Sequence, residues 1–264
     1  MSSGQVAWLG AIAGFTIFLG LPIGRAPARL QTTKAALNAV AVGILLFLLW
    51  DILAHAWEPI DAALADGRFG SATGYGVVLA AGFGLGLIGL VWFDRRIAAR
   101  APKADDSTDS GAVAARRLAL MIAIGIGLHN FAEGLAIGNS AAAGELSLAW
   151  LLVIGFAAHN ATEGFGIVAP LTAAGVKPTW WQLGALGLIG GGPTLIGTLV
   201  GQQVTAEIAG VAFLAVAAGS ILYVVVELLA VLRRYSLKYV TSWGLFAGLV
   251  LGFLTDAVLT AAGA

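Results

Sequence analysis

The chain has 264 residues, of which 59% are hydrophobic and 11% charged, and its mean hydropathy is +0.92. Soluble domains are about 45–50% apolar and about 25% charged. The composition therefore excludes an ordinary water-soluble enzyme and indicates a protein that lies in a lipid bilayer. Lys+Arg and Asp+Glu both number 14, so no bulk positive charge attracts nucleic acid, and we predict no nucleic-acid partner. The lack of cysteine excludes disulfides and thiolate metal ligands.

Eight apolar stretches approach the length of about 20 residues that a membrane-spanning helix needs. We therefore predict an all-α membrane protein in which residues 1–264 form a single transmembrane domain. A polar stretch from Arg95 to Ala115 predicts a flexible cytoplasmic loop between the third and fourth spans. The predicted spans are Val6–Gly24, Ala35–Trp57, Gly74–Phe93, Leu118–Gly138, Leu146–Pro170, Gln182–Thr205, Ile208–Leu232 and Val240–Ala262.

The basic residues predict how these spans are oriented. In an eight-span zigzag, thirteen of the fourteen Lys and Arg residues fall on one side, and only Arg68 falls on the other. The positive-inside rule places the side with the thirteen basic residues in the cytoplasm and both termini outside. The Ala- and Gly-rich composition favours a prokaryotic source. We therefore predict a multi-pass protein of the plasma (inner) membrane of a prokaryote.

Eight ionisable residues fall inside the predicted spans. Such groups are costly in hydrocarbon, and they usually face a bundle interior or line an ion pathway. A single one could equally be a structural hydrogen-bonding partner, and for Asp256 both interpretations stay open. The eight residues are Asp51, His55, His129, Glu133, His159, Glu163, Glu227 and Asp256.

A repeated motif is the strongest signal in the chain. Residues 129–137 and 159–167 share the pattern H-N-x-x-E-G-x-x-I at an offset of thirty residues. On a helix, residues four apart lie about 40° from each other, so each motif places its His and Glu on one edge. If the two edges face each other, two imidazoles and two carboxylates can surround one divalent cation. The four ligands would be His129, Glu133, His159 and Glu163.

This ligand set suits tetrahedral zinc, and it is also compatible with Fe(II), Mn(II), Co(II) or Cd(II). Interhelical hydrogen bonding through Asn and His is the structural alternative. An intramembrane zinc-dependent hydrolase is the alternative from another class, because the same ligand types can activate water. Such enzymes generally keep three protein ligands and an open position, whereas the repeat supplies four ligands. A metal-binding regulator that conducts nothing also remains open.

These motifs, in this topology, resemble the ZIP (ZRT/IRT-like) family of divalent metal transporters. The resemblance covers nearly the whole chain and implies transport toward the cytoplasm by an elevator-type movement, without enzymatic activity or a cofactor. It implies that the four residues of the repeat form the primary metal site. It also implies that Asn130 and Asn160 serve a neighbouring second site. The expected partners are the metal ion and the bilayer, and a homodimer is left open.

The chain departs from the family pattern at two places. The family commonly has Gly-x-Pro-Glu in the sixth span, with a Glu that bridges two metals, but here Thr194 follows Pro193 in the acidic place. The second metal site is therefore in question, and Pro193 should disturb the helix. The loop between the third and fourth spans contains no His, so we expect little metal capture there. Three weaker candidates accompany the central residues: Asp51 and His55 for an access or exit route, and Glu227 in an acidic position of the seventh span.

Overall fold

A computed structural model describes residues 2–27, 30–100, 109–144, 146–204 and 206–261, and the described chain is helical without strands. The first span consists of α1 (Ser3–Phe15), α2 (Ile17–Gly20) and a 3-10 helix (Leu21–Arg25). The other helices are α3 (Gln31–Ala65), α4 (Phe69–Arg100), α5 (Asp109–Ala142), α6 (Leu146–Ala173), α7 (Trp180–Gly201), α8 (Glu207–Arg234) and α9 (Lys238–Ala261).

Eight of the described segments are long and apolar enough to cross a membrane, which confirms the predicted number of spans. Each of α3 to α9 supplies one span, and the three short elements at the start of the chain together supply the other. The orientation of the termini stays a prediction.

The predicted loop at 95–115 is wrong in most of its length. The helix α4 continues to Arg100, and α5 begins at Asp109; residues 101–108 lie outside the described part of the chain. Both flanks are rich in Ala and Arg, which are strong helix formers once the chain leaves the hydrocarbon. An ion pair also joins them, because Arg117 Nε lies 3.0 Å from Asp94 Oδ1. Polarity therefore did not predict where these two helices end and begin.

Other helix boundaries also differ from the prediction. The helix α3 passes through Pro59 and ends eight residues beyond Trp57, at Ala65. A tight turn follows, in which Gly67 has a φ of 69°. The helix α7 remains α-helical through Pro193 and ends at Gly201. The predicted ends at residues 205 and 262 lie outside the described residues.

Pro193 does not break α7, and a side chain of a neighbouring helix forms a hydrogen bond next to it. A proline has no N–H to donate to the carbonyl four residues earlier. Asn130 of α5 donates its Nδ2 to the Gly190 carbonyl oxygen at 3.0 Å, next to the carbonyl that the proline leaves without a donor.

The helices pack in two bundles. The motif bundle consists of α1, α2, α5, α6 and α7, and the companion bundle consists of α3, α4, α8 and α9. Within the motif bundle α5 packs most extensively on α7, and within the companion bundle α3 packs on α9 and α4 on α8. Smaller contacts of α5 with α8 and of α3 with α6 join the two bundles.

Glycines pack backbone against backbone inside each bundle. A methyl group added to Gly134 would lie 2.1 Å from the Thr194 carbonyl oxygen, and one added to Gly248 would lie 2.1 Å from the Val40 carbonyl oxygen. Such close approach is typical of helices in lipid, where van der Waals packing drives association. Between the bundles, a methyl group at Gly166 would instead meet the Leu228 side chain at 3.1 Å. The bundles are therefore tightly packed internally and joined through side chains.

Candidate metal centre

The repeated motif occupies adjacent faces of α5 and α6. His129 and Glu133 lie on α5, and His159 and Glu163 lie on α6. Their exposed fractions are 0%, 5%, 9% and 1%, so all four side chains are buried. A spacing of four residues places each His and Glu about one turn apart, and the packing of α5 on α6 turns both edges toward the same point.

Glu133 lies where the two imidazoles meet. Its Oε1 is 2.9 Å from His129 Nε2 and 2.5 Å from His159 Nε2. Glu163 Oε1 lies 3.5 Å from His129 Nε2. Potential ligand atoms of His129, Glu133 and His159 all fall within 4.8 Å of one another. The structure thus brings together the four residues of the repeat.

These distances can be compared with those of a tetrahedral zinc site. Ligand atoms at about 2.0–2.1 Å from zinc lie roughly 3.3 Å from one another. The separation of 3.5 Å between Glu163 and His129 is close to that spacing. The two contacts of Glu133 have hydrogen-bond lengths, so its carboxylate would move by less than about 1 Å to share a cation with the imidazoles.

Several polar atoms of the centre are buried without a hydrogen-bond partner in the described chain. They include His129 Nδ1, Glu133 Oε2 and both carboxylate oxygens of Glu163. A buried polar group without a partner typically costs about 1–3 kcal/mol, and more when it is charged. Two imidazoles and two carboxylates form a donor set that a divalent cation satisfies.

The two asparagines of the motif each use their amide nitrogen to hold a neighbouring helix. Asn130 donates to the Gly190 carbonyl oxygen of α7, and Asn160 donates to the Ala13 carbonyl oxygen of α1, both at 3.0 Å. Their Oδ1 atoms are buried and have no hydrogen-bond partner among the described residues. Each Asn therefore has a structural role, and its oxygen stays available as an acceptor.

A cavity of about 440 Å³ adjoins the centre and extends toward the companion bundle. His129 and Glu133 line it from α5, Asp51 and His55 line it from α3, and Asp256 lines it from α9. The structure therefore brings Asp51 and His55 beside the repeat, as well as Asp256, which the sequence left open. Thr260 also lines the cavity, although the sequence analysis did not single it out. It lies four residues after Asp256, and this helical spacing is the signal that places both residues on one polar face.

His55 has a defined tautomer in this arrangement. Its Nδ1 lies 2.9 Å from the Asp51 carbonyl oxygen, and because a carbonyl can only accept, Nδ1 is the donor. The Nε2 atom of the neutral ring then keeps its lone pair, which is the form that binds metals.

Glu227 does not join this group. It lies half-buried on α8, where the nearby charges are those of Asp94, Arg117 and Arg234. It is not among the residues that line the cavity beside the centre. The structure thus separates Glu227 from the other candidate residues.

The fold and the site together define a multi-pass membrane protein with a buried His/Glu centre between two adjacent spans. Residues 95–260, more than half of the chain, match the sequence profile described as ZIP Zinc transporter. The chain is also 30% identical over 257 residues to a protein named zinc transporter ZupT from Shigella dysenteriae serotype 1 (strain Sd197), and the match covers 95% of each chain. The chain belongs to the ZIP zinc transporter family.

This membership confirms the family that the repeated motif predicts. It also confirms that the chain is a transporter and not an enzyme, so the alternative of an intramembrane hydrolase is set aside. The family is one of zinc and divalent metal transport across membranes.

Proposed function

We propose that the chain carries divalent metal ions, with zinc as the main substrate, into the cytoplasm across the plasma membrane of a prokaryote. The observation that carries this proposal is the convergence of His129 Nε2 and His159 Nε2 on one buried oxygen of Glu133. His129, Glu133, His159 and Glu163 are the proposed ligands. The bacterial relative, which is named a zinc transporter, supports zinc and a bacterial membrane.

The charge of the ligand set explains how such a site can cross a low-dielectric barrier. Two ionised carboxylates carry a charge of −2, and a bound divalent cation with two neutral imidazoles brings the site close to zero. Burial of an isolated ion is very costly, whereas a compensated group is far cheaper to bury. The loaded centre therefore moves more easily than either the metal or the empty site.

The two bundles suggest which parts of the chain move. The proposed ligands all belong to the motif bundle, whose helices are joined by close glycine contacts. Its contacts with the companion bundle are less extensive and include side-chain packing such as that of Gly166 on Leu228. We infer an elevator-type movement in which α1, α2 and α7 travel with α5 and α6 while the companion bundle stays in place.

The cavity beside the centre is the proposed access route. Asp51 and His55 from α3, together with Asp256 from α9, offer oxygen and nitrogen ligands along the cavity wall that faces Glu133 and His129. These residues belong to the companion bundle, so a metal that leaves them for the centre passes from one bundle to the other.

We expect the second metal site to be weak. Asn130 Oδ1 and Asn160 Oδ1 are neutral acceptors, and Thr194 offers a buried hydroxyl where relatives carry a carboxylate. Hard divalent cations bind neutral oxygens less strongly than carboxylates, so a site of this kind would hold metal only briefly. Glu227 is kept as a lower-ranking candidate metal ligand.

The experiment is uptake of radiolabelled zinc by proteoliposomes that contain the wild type, His159→Ala or Glu163→Ala. We expect both variants to lose uptake by at least about tenfold, because each removes a ligand of the proposed metal site. Asp66→Asn, in the exposed turn after α3, is the matched control and should transport normally. Parallel assays with iron, manganese and cadmium would rank the substrates.

Two results would contradict the proposal. Full uptake by both variants would exclude the centre as the transport site. Tight zinc binding by wild type without any flux would instead identify a metal-binding regulator.

A further inference from the structure

A second cavity, which is lined by basic residues, lies where α6 ends and α3 begins. This is the end of the motif bundle at which the first span also ends. Its volume is about 230 Å³, far more than the ~30 Å³ of one water molecule. Arg25, Lys34 and Lys177 line it together with Gln31 and Thr172, and no acidic residue is among its lining residues. It shares no lining residue with the cavity beside the metal centre.

Lys34 is the buried charge of this cavity. Its exposed fraction is 7%, and its Nζ donates to the Ala26 carbonyl oxygen at 2.8 Å. An ammonium group has three donors, so this bond leaves two. No ion pair joins Lys34 to a carboxylate in the described part of the chain. Because no carboxylate is among the residues that line the cavity, an anion that enters it would supply a counter-charge to this ammonium group.

Arg25 and Lys177 add two further positive charges to the lining of the cavity. The Arg25 guanidinium donates to the Pro178 carbonyl oxygen and lies 4.8 Å from the centre of the Trp180 ring, so its direction is fixed. It has further donors to offer. Lys177 is exposed.

The first turn of α3 adds to this positive surface. It contains no acidic residue, and Leu30 gives it no side-chain cap, so its free N–H groups also favour an anion.

We propose that this cavity binds a phosphate-bearing anion, either a lipid headgroup or free phosphate. A phosphate presents several oxygens in different directions, and it can accept from an arginine fork and from ammonium groups together. Basic pockets between transmembrane helices are suited to anionic headgroups on the cytoplasmic side of a membrane. The cavity lies on the side that carries thirteen of the fourteen basic residues.

The position of the cavity gives the bound anion a mechanical role. Lys34 belongs to the companion bundle, whereas Arg25 and Lys177 belong to the chain segments that flank helices of the motif bundle. An anion held by all three ties the bundles together at the connection between the first span and α3. Anion binding itself does not depend on the proposed transport function.

The test measures the thermal unfolding of the purified full-length chain in a neutral detergent without added metal. The probes are dioctanoyl phosphatidylglycerol, dioctanoyl phosphatidylcholine, sodium phosphate, and sodium chloride at matched ionic strength. The variants are Lys34→Gln, Lys177→Gln and the control Arg95→Gln, an exposed basic residue on α4 that does not line the cavity. Lys177 is exposed, so its variant remains informative if Lys34→Gln does not fold.

We expect phosphatidylglycerol or phosphate to raise the wild-type Tm by about 2–4 °C at saturation. The shift should fall at least twofold in both lysine variants and persist in Arg95→Gln. A shift with phosphatidylglycerol alone identifies a lipid headgroup, and a shift with phosphate identifies the free anion.

The proposal is wrong if neither anion shifts Tm, or if phosphatidylcholine shifts it as much as phosphatidylglycerol. Equal loss of the shift in Arg95→Gln would also overturn it, because general surface charge would then be responsible. None of these Tm measurements depends on zinc uptake. A failure of the anion-binding proposal can therefore be distinguished from a failure of the transport proposal.

Discussion

At the scale of single residues, Glu133 has the central position, because its Oε1 is approached by the Nε2 atoms of both histidines. Glu133→Gln keeps the size of the side chain and removes its charge. Mutation of a residue that hydrogen-bonds to a metal ligand typically reduces metal affinity about 10–100-fold. Because Glu133 is itself a proposed ligand, we expect Glu133→Gln to reduce zinc affinity by more than about 100-fold. Titration calorimetry measures it, with Asp66→Asn as the control. Unchanged affinity in Glu133→Gln would exclude this carboxylate as a ligand.

The same residues predict how transport depends on pH. Imidazole and carboxylate bind a metal in their deprotonated forms, so protons compete with zinc for the same atoms. Zinc uptake should therefore decrease as the outside pH is lowered from about 7.5 to about 5. Initial rates in proteoliposomes with a fixed internal pH would measure the effect. Equal rates across this range would contradict a centre built from these four side chains.

The sequence predicted that the four residues of the repeat lie close together, but it did not predict the contacts that support them. The spacing of four residues between His and Glu fixes a helical edge, and the repeat predicts that two such edges belong together. The anchoring of Asn130 to Gly190 and of Asn160 to Ala13 depends on how α7 and α1 pack on the motif helices. The grouping of Asp256 with Asp51 likewise needs the packing of α9 on α3. No local pattern in one segment contains such information.

At the scale of helices, the close contact of α5 with α7 depends on glycine. A methyl group at Gly134 would lie 2.1 Å from the Thr194 carbonyl oxygen, so Gly134→Ala must separate the two helices. We expect this change to destabilise the protein by about 1–3 kcal/mol, the usual cost of overpacking. Gly74→Ala is the matched control, because an added methyl group there has no neighbour within 4 Å.

Thermal unfolding in detergent would measure both variants. Gly134→Ala should have a clearly lower Tm, whereas Gly74→Ala should match the wild type or exceed it, since Ala has the higher helix propensity. Equal Tm values for the two variants would show that α5 and α7 do not pack as described.

Helix boundaries were the least predictable feature at this scale. Hydropathy indicates where a segment leaves the hydrocarbon, but a helix continues wherever its residues favour it and its neighbours support it. The extension of α4 to Arg100 and the continuity of α7 at Pro193 both have this origin. Next to the proline of α7, the Gly190 carbonyl oxygen accepts a hydrogen bond from Asn130 of α5, and the sequence of α7 alone does not contain that contact.

At the scale of the whole molecule, the two-bundle arrangement predicts the effect of cross-links. The chain has no cysteine, so pairs can be introduced without background thiols. Asp94→Cys with Arg117→Cys joins α4 to α5 across the bundles, at the position of an ion pair. Tyr75→Cys with Glu207→Cys joins α4 to α8 inside the companion bundle, where the side chains lie 2.6 Å apart.

We expect a short thiol-specific cross-linker to stop zinc uptake in the first pair and to leave it intact in the second. Uptake before cross-linking, and its recovery when a reducible linker is cleaved, are the internal controls. Full uptake with the bundles linked would contradict an elevator-type movement.

The number of spans followed from the sequence because each span is a local property of about 20 residues. The division into bundles did not follow, since it depends on contacts between segments far apart in the chain. The packing joins α1, α2 and α7 to α5 and α6, and the repeated motif of α5 and α6 does not indicate this larger group. A homodimer stays a prediction.

The pairing of Gly14 with Gly191 has a consequence for biogenesis. The first span is synthesised early, but its glycine-lined partner α7 leaves the ribosome only after four other spans have been made. At about 5–20 residues per second, the wait lasts on the order of ten seconds or more. During this interval Gly14 lacks its partner on α7 and faces lipid or the insertion machinery. Nascent chains that stop before α7 should therefore be preferred targets of membrane quality-control proteases.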